Sequence, residues 1–478
     1  MSAIVRFKHT LPLGAIFGVV IGLATESLAA VTISSKPTQN LSCVTGVCTP
    51  TAANAVLNVG DLTNLLASSN VQVNTGSGSL AQQVEDIVVS KSFSWASANS
   101  LTLDAYRSIT LNAPIAANGA GAVALTTNDG GSGGTLSFGS SGSLSFLGTA
   151  NSLAINGSAY LLVNTLASLA SAVANNPAGA YAFAANYDAT PDGTYSQSPV
   201  PTIFTGIFEG LGNTISNVTV RNAARGVESI GGLLAQVTAG TVKDIGLSTV
   251  KVDGYRASFV GGLVGTNTGG LLVGDHVSGN VANGDVVGGI LGVNGGGNLD
   301  NSYAVVDVRS RQGGGGVVGV NEGRVSYCFA MGSVGGGPGS NPGGLAAANT
   351  YIISNSYATS SVTGGTSANI GGLVGDNEGE IDTSYSTGKA TGGAQSKIGG
   401  FIGYDDFNTE NASSYWDTTT SGTNQGTGNF GNVQGLTGLT TQQLQSGLPS
   451  GFDPTIWAEN PKINHGFPYL IANPPPEK

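Results

Sequence analysis

The stretch Gly371-Gly372-Leu373-Val374-Gly375-Asp376-Asn377, continued by Glu378-Gly379-Glu380-Ile381 and closed by Ser384-Tyr385, decides how the rest of the chain is read. It recurs. The second glycine of the doublet falls at Gly232, Gly262, Gly289, Gly316, Gly344, Gly372 and Gly400, in steps of 30, 27, 27, 28, 28 and 28 residues. A fixed period in this range is the mark of a solenoid. Two apolar residues follow the doublet, as in Leu263-Val264 and Ile290-Leu291, with the fifth copy weakened to Leu345-Ala346. A small residue comes next, at Ala235, Gly265, Gly292, Gly319, Ala347, Gly375 and Gly403. Asparagine stands two residues further on in consecutive copies, at Asn267, Asn294, Asn321, Asn349 and Asn377, and Val237 and Asp405 break the row at its ends.

These spacings exclude a helical repeat, which needs ten or more residues free of glycine. Between glycines lie segments of about 4–6 residues, the length of short strands. One period therefore makes a coil of three short strands and three turns. Coils stacked backbone to backbone advance about 4.8 Å each, so the array forms a rod of roughly 30–35 Å. Stacking places identical side chains over one another, and the five asparagine amides can bond along the axis. A Ser-Tyr pair recurs later in the copies and assigns a second ladder to Tyr303, Tyr327, Tyr357, Tyr385 and Tyr415. Regular recurrence favours packing over a sugar-binding platform for these rings. The fold class is all-β, a parallel β-helix.

The pattern G-G-L-V-G-x-N-x-G-x-I-x-x-S-Y, over roughly residues 205–415, resembles the GLUG-motif repeat of large secreted bacterial proteins of the filamentous-haemagglutinin and adhesin type. The resemblance implies a right-handed parallel β-helix and does not by itself imply catalysis. Ser100-Leu101-Thr102-Leu103-Asp104 through Ser108-Ile109-Thr110-Leu111-Asn112 is similar to haemagglutinin-type coils.

Composition agrees with an extended exported rod. Glycine supplies 76 of 478 residues and only 9% are charged, against about 25% in an ordinary globular domain. The net charge is −11 without a Lys/Arg cluster, which argues against a nucleic-acid partner. Arg6, Lys8 and His9 precede an apolar run from Leu11 to Ala24, and Ser27-Leu28-Ala29 gives a small-x-small site. Residues 1–29 read as a signal peptide, with no membrane span expected in the mature chain. Cys43 and Cys48 could close a disulfide in an oxidising compartment, or be two free thiols. Cys328 follows Ser326-Tyr327 where other copies carry Ala304, Ala358 or Ser386, and reads as a small interior residue.

Five segments follow: the signal at 1–29, a haemagglutinin-like β-helix at 30–159, a helix-containing connection at 160–204, the repeat array at 205–415, and a C-terminal cap and tail at 416–478. Within the first β-helix, residues 31–55 look weakly structured. Period-2 pairs then mark strands: Ile87/Val89, Leu101/Leu103, Ile109/Leu111, Val123/Leu125 and Leu144/Phe146. Asp61–Leu66 is a helix candidate, and Leu162, Leu166, Leu169 and Val173 share one helix face ended by Asn175-Asn176-Pro177. The aromatic residues of 436–470 are assigned to capping the solenoid end.

Catalytic motifs are scarce. His9, His276 and His465 are the only histidines, and no H-E-x-x-H occurs. Asp244, Asp275, Asp300, Asp382, Glu322, Glu378 and Glu380 do not hold one repeat position, and Asp405-Asp406 beside Glu410 is the densest acidic spot. No catalytic residue, cofactor or metal ligand is assigned, and the expectation is a non-enzymatic, adhesin-like exoprotein. It is expected outside the cell or on its surface, with the periplasm as the alternative. Its partners are a glycan, matrix or cell surface, and an outer-membrane transporter for export. The competing readings are a polysaccharide lyase or hydrolase on the same fold, which needs carboxylates gathered in a groove, and a structural matrix component.

Overall fold

The computed structural model describes residues 29–75, 84–222, 230–255, 257–406, 411–431 and 433–476; the signal peptide falls outside them apart from its last residue. The chain is a right-handed parallel β-helix with three α-helices among the described residues. Each coil places one strand in each of three sheets, because glycine and asparagine corners interrupt every apolar run after a few residues. In the repeat array one coil runs through Leu291–Gly295, Asn298–Asp300 and Tyr303–Gly315. We call the sheets they join the groove sheet (seven strands), the junction sheet (16 strands) and the flank sheet (19 strands).

Residues 31–55 are more ordered than their Thr-, Pro- and Asn-rich sequence suggests. Ala29–Ser34 pairs in parallel with both Val56–Asn58 and Val84–Val89, and Val31 and Ile33 are fully buried. Leu41–Val44 and Val47–Pro50 form an antiparallel hairpin in which Cys43 faces Cys48, and the two are joined by a disulfide. Apolar positions at every second residue drive this order in spite of the polar composition. Helix α1 (Val59–Ser68) is capped by the Asn58 side chain, which accepts from Gly60 N–H, and buries Leu62 and Leu66 in the first core. The period-2 pairs read from sequence all point inward: Ile87, Val89, Leu101, Leu103, Ile109, Leu111, Val123, Leu125, Leu144 and Phe146 are buried.

A hairpin reverses the chain between the two stretches of helix. Ser152–Ile155 turns through Asn156 and Gly157, both at positive φ, into Ser158–Val163, which pairs antiparallel with it. From there the junction sheet continues in parallel through Ala180–Phe183, Ile207–Glu209 and the repeat strands. Strand direction inverts at the hairpin, and so does the side that faces a core. Ala182 and Ala184 pack into the N-terminal core, whereas their neighbours Tyr181 and Phe183 pack into that of the repeat array. Inverting both together keeps the coiling right-handed, which reversing one alone would not. The chain therefore builds two cores on opposite faces of one hydrogen-bonded sheet. Helix α2 (Leu166–Asn175) plugs the start of the second core with Leu166, Leu169 and Val173. Leu162, read from sequence as part of this helix, lies in the preceding strand, because Thr165 and Ser168 form a capping box that fixes the start at Leu166.

Only part of the C-terminal segment covers the solenoid end. Trp416, Val433 and Leu436 close the second core there, and Leu436–Leu439 adds the last strand of the flank sheet. The remainder, from helix α3 (Thr441–Leu444) to Asn473, folds back along the side of the rod. Its Leu444, Phe452, Trp457, Phe467 and Leu470 form a third cluster with ring residues of the flank sheet. Asn473 reaches as far as the Tyr327 carbonyl, at 3.1 Å.

Candidate functional site: a groove along the repeat array

The repeat positions sort into columns. Leu234, Val264, Leu291, Val318, Ala346, Val374 and Ile402 stack as the inward column of the groove sheet, and all are buried. Asn267, Asn294, Asn321, Asn349 and Asn377 stack at the next corner, each fully buried. Each amide Nδ2 donates to the Oδ1 of the following copy, at 3.1, 2.9, 2.8 and 2.9 Å. The amides also satisfy corner carbonyls, as Asn267 does with Gly270 O at 3.0 Å and Asn294 with Gly297 O at 3.0 Å. An asparagine suits this place because it supplies a donor and an acceptor from one short side chain.

A second ladder was hidden from the sequence. Asp275 N–H, Cys328 N–H, Ser356 N–H and Ser384 N–H each donate to a serine hydroxyl of the next coil: Ser302, Ser356, Ser384 and Ser414. Cys328 thus takes a serine position, in line with Ser302 and Ser356, and not the Ala304/Ala358/Ser386 position expected. The same shift corrects the tyrosine ladder. Ser326 pairs with Asp300 and Phe329 with Tyr303, so Tyr327 falls on a corner at φ 54°. Phe329 fills the ring column instead. His276, Tyr303, Phe329, Tyr357 and Tyr385 stack face to face at 4.8–5.1 Å, and Tyr415 continues the register after Tyr385. The C-terminal segment covers this column: Trp457 lies 6.0 Å from Tyr357 and 5.9 Å from Tyr385, and Tyr385 Oη donates to Pro468 O. The rings are packed, not presented.

What the array does present is a concave groove. The small-residue row forms its floor. One wall is the outward column of the groove sheet, Gln236, Thr266, Val293, Val320, Ala348, Asp376 and Tyr404. The opposite wall comes from the flank sheet just before each glycine doublet: Ile230, Phe259, Val286, Gly313, Asn341, Asn369 and Lys397. The walls approach closely enough to explain the floor. A Cβ on Gly319 would stand 2.5 Å from Val286 Cγ1, and one on Gly292 would stand 2.5 Å from the Gly265 carbonyl oxygen. Real Cβ atoms essentially never show such contacts, so Gly292 and Gly319 stay glycine, while Ala235 and Ala347 carry a single methyl in their copies.

The groove changes character along its length. At its N-terminal end it opens into a cavity of about 560 Å³ lined by Ile230, Gln236, Phe259, Thr266, Val293 and Glu322, among others. At its C-terminal end the walls touch through polar groups. Asn341 Nδ2 donates to Asp376 Oδ2 at 3.0 Å, and Lys397 Nζ sits 3.6 Å over the Tyr404 ring. Partial burial, then Asp406 and Glu378 nearby, push the Asp376 carboxyl up to about 6.

The remaining acidic candidates scatter. Glu322 lines the groove cavity. Asp300 and Asp382 stand in one outward column of the junction sheet, and Glu380 in the adjacent column. Asp275 is buried and Asp244 half-buried at the meeting of the two helical stretches, beside Glu209, whose carboxylate holds Lys243 Nζ at 2.6 Å. Burial first, and neighbouring carboxylates second, raise Asp244 well above the usual carboxylate range. Glu410 lies outside the described residues. No group of three or more His, Cys, Asp or Glu is placed to hold a metal ion among the described residues. His276 is half-buried at the end of the ring column, stacked on Tyr303, and desolvation lowers it to about 4. No helix among the described residues is long and apolar enough to cross a membrane. Sequence reasoning missed the groove walls; the small residue after each apolar pair was the signal for them.

Neither a family model nor a curated protein matches the chain. Among solved structures it resembles the crystal structure of a putative immunoglobulin A1 protease from Bacteroides ovatus, at 18% identity and a TM-score of 0.45. The likeness covers 66% of this chain and 93% of that one. At this identity it concerns the fold. That structure carries the name of a putative protease, and the expectation that catalysis is absent is not retained; the likeness assigns no activity to this chain.

Proposed function

We propose that this chain is an adhesin-like exoprotein, of the GLUG-repeat type that its array resembles, whose lateral groove holds an extended polymer of a cell surface or matrix. The groove carries the reading. Its two walls run in register along the array, it opens into a cavity at the N-terminal end, and the sequence keeps its floor small in all seven copies. A compact metabolite needs an enclosed pocket; a cavity that spans several coils along the side of the rod suits a linear chain. The low charge content and the signal-like start support export, with a partner transporter in the outer membrane. The test has two arms. Purified residues 30–478 should bind cell surfaces, matrix or immobilised glycans saturably, and protease added to intact cells should remove the mature chain. Absence of any saturable binding overturns the reading, and full protection from protease with release by osmotic shock moves the chain to the periplasm.

One observation favours a second reading. Asp376 stands in the groove with Asp406 and Glu378 near it and a raised carboxyl, the environment in which a carboxylic acid keeps its proton near neutrality. On this reading the polar end of the groove cleaves the polysaccharide that the rest holds. New reducing ends or unsaturated products on incubation with polysaccharides, lost in Asp376→Asn, are its expected result; their absence with every substrate removes it.

A further inference from the structure

We infer that the groove cavity in the first four coils is a subsite for an uncharged glycan chain; this rests on the groove reading above and names its ligand. Four observations converge. The first is the lining: an aromatic ring (Phe259) and aliphatic walls (Ile230, Val293) carry a few hydrogen-bonding groups, the Gln236 amide and the Thr266 and Thr268 hydroxyls. Apolar walls with a few convergent polar groups are the make-up of a small-ligand site, and neutral amides and hydroxyls against a ring suit a pyranose, which offers hydroxyls at its rim and C–H groups on its faces.

The second is charge. Among the described residues that line the cavity, Glu322 is the charged one and none is Lys or Arg. A polyanionic glycan would bring carboxylates or sulfates to a described lining whose charge is the Glu322 carboxylate, inside a chain of net charge −11.

The third is the state of the backbone. The strands on both walls are engaged in parallel pairing with the coils before and after them, so an extended peptide has no free edge to join. Recognition must run through side chains.

The fourth is spacing. Successive coils stand 4.8–5.1 Å apart, as the ring column measures. An extended peptide repeats its side-chain pattern every two residues, about 6.6–6.8 Å, and falls out of step with the coils. The length of a pyranose between equatorial linkages is close to the coil spacing, so one sugar meets one coil.

Isothermal titration of residues 30–478 with a panel of soluble hexasaccharides tests this: β-1,4- and β-1,3-linked glucans, a β-1,4-linked xylan, an N-acetylglucosamine chain, and hexagalacturonate as the acidic member. The expected result is binding of at least one neutral member without binding of hexagalacturonate. Phe259→Ala should weaken that binding about tenfold or more, as loss of an aromatic anchor does. Gln236→Leu, a half-buried position whose change leaves the fold intact, should weaken it too, while Thr363→Ala on the flank sheet should not. Preference for the acidic member, binding indifferent to both groove variants, or no neutral binding across the panel overturns the inference. Saturable cell-surface binding alongside that last result would leave the groove reading standing and the glycan assignment refuted.

Discussion

Replacing Asn321 by alanine removes the middle rung of the amide ladder, and its cost can be worked from the structure. The Asn321 amide donates to Asn349 Oδ1 at 2.8 Å and to the Ile352 carbonyl at 3.1 Å. Its Oδ1 accepts from Asn294 Nδ2 at 2.9 Å and from Gly323 N–H at 3.3 Å. Asn294 Nδ2 keeps Gly297 O and Arg324 O after the change; Gly323 N–H and Asn349 Oδ1 lose the bonds they make to Asn321 in a fully buried corner. A typical hydrogen bond is worth about 1 kcal/mol net, and a buried group left unsatisfied costs about 1–3 kcal/mol. Four bonds lost, with little room for water, give a destabilisation of about 3–5 kcal/mol. Alanine brings no polar group of its own, which keeps the figure from rising further. The assay is urea unfolding of residues 30–478 followed by circular dichroism, with Thr363→Ala as an exposed control expected to change stability by less than about 0.5 kcal/mol. Because a repeat rod can unfold in parts, hydrogen exchange at Gly323 and Thr350 accompanies it and should show the opening centred on the substituted coil. A loss below about 1 kcal/mol would refute the reasoning, and the ladder would then be a by-product of stacking.

Three further outcomes follow from the same geometry. Asp275 sits buried in a serine position with its carboxyl raised by desolvation; a carboxyl raised in the folded state makes the fold less stable as pH climbs from its unfolded value near 4 toward its folded one. Asp275→Ser should therefore raise the unfolding midpoint at pH 7 and change it little at pH 4, measured by urea titration at both; a variant less stable than the parent at pH 7 contradicts this. Trp457→Ala should cost about 3–5 kcal/mol locally and lift the C-terminal segment from the ring column, seen as dye binding to exposed rings and early proteolysis within residues 440–473; an unchanged digestion pattern speaks against it. Gly319→Val, whose Cβ would overlap Val286 and the Gly292 carbonyl, should destabilise the array or force the groove open, lowering the thermal midpoint by several degrees; an unchanged midpoint means the floor is not confined.

Much of the fold was legible because solenoid physics is repetitive. A glycine doublet every 27 to 30 residues sets the coil, and stacking then forces like onto like, so the asparagine row could be read before any coordinates. The tyrosine row could be read only in part. Ser326-Tyr327 looks like Ser302-Tyr303, yet it belongs two residues earlier in the coil, and register is fixed by the strand pairing of Asp300 with Ser326, which local sequence does not reveal. The groove was illegible for a related reason: its walls come from positions on either side of each doublet that share no residue type from copy to copy. Only their product is visible in sequence, as the small residue on the floor. The hairpin at Asn156-Gly157 was equally hidden in its consequence, since a common turn dipeptide does not announce that the core changes sides.

The most direct measurement compares the parent chain with a filled groove. Thr266 lines the cavity and is half-buried, so Thr266→Trp would occupy it while leaving the ladders untouched. Labelled residues 30–478, with and without this change, would be titrated onto intact cells and purified extracellular matrix. Saturable binding by the parent and its loss in Thr266→Trp, with unchanged circular dichroism, is the predicted result. Equal binding by the two proteins would contradict the claim that the groove is the binding surface.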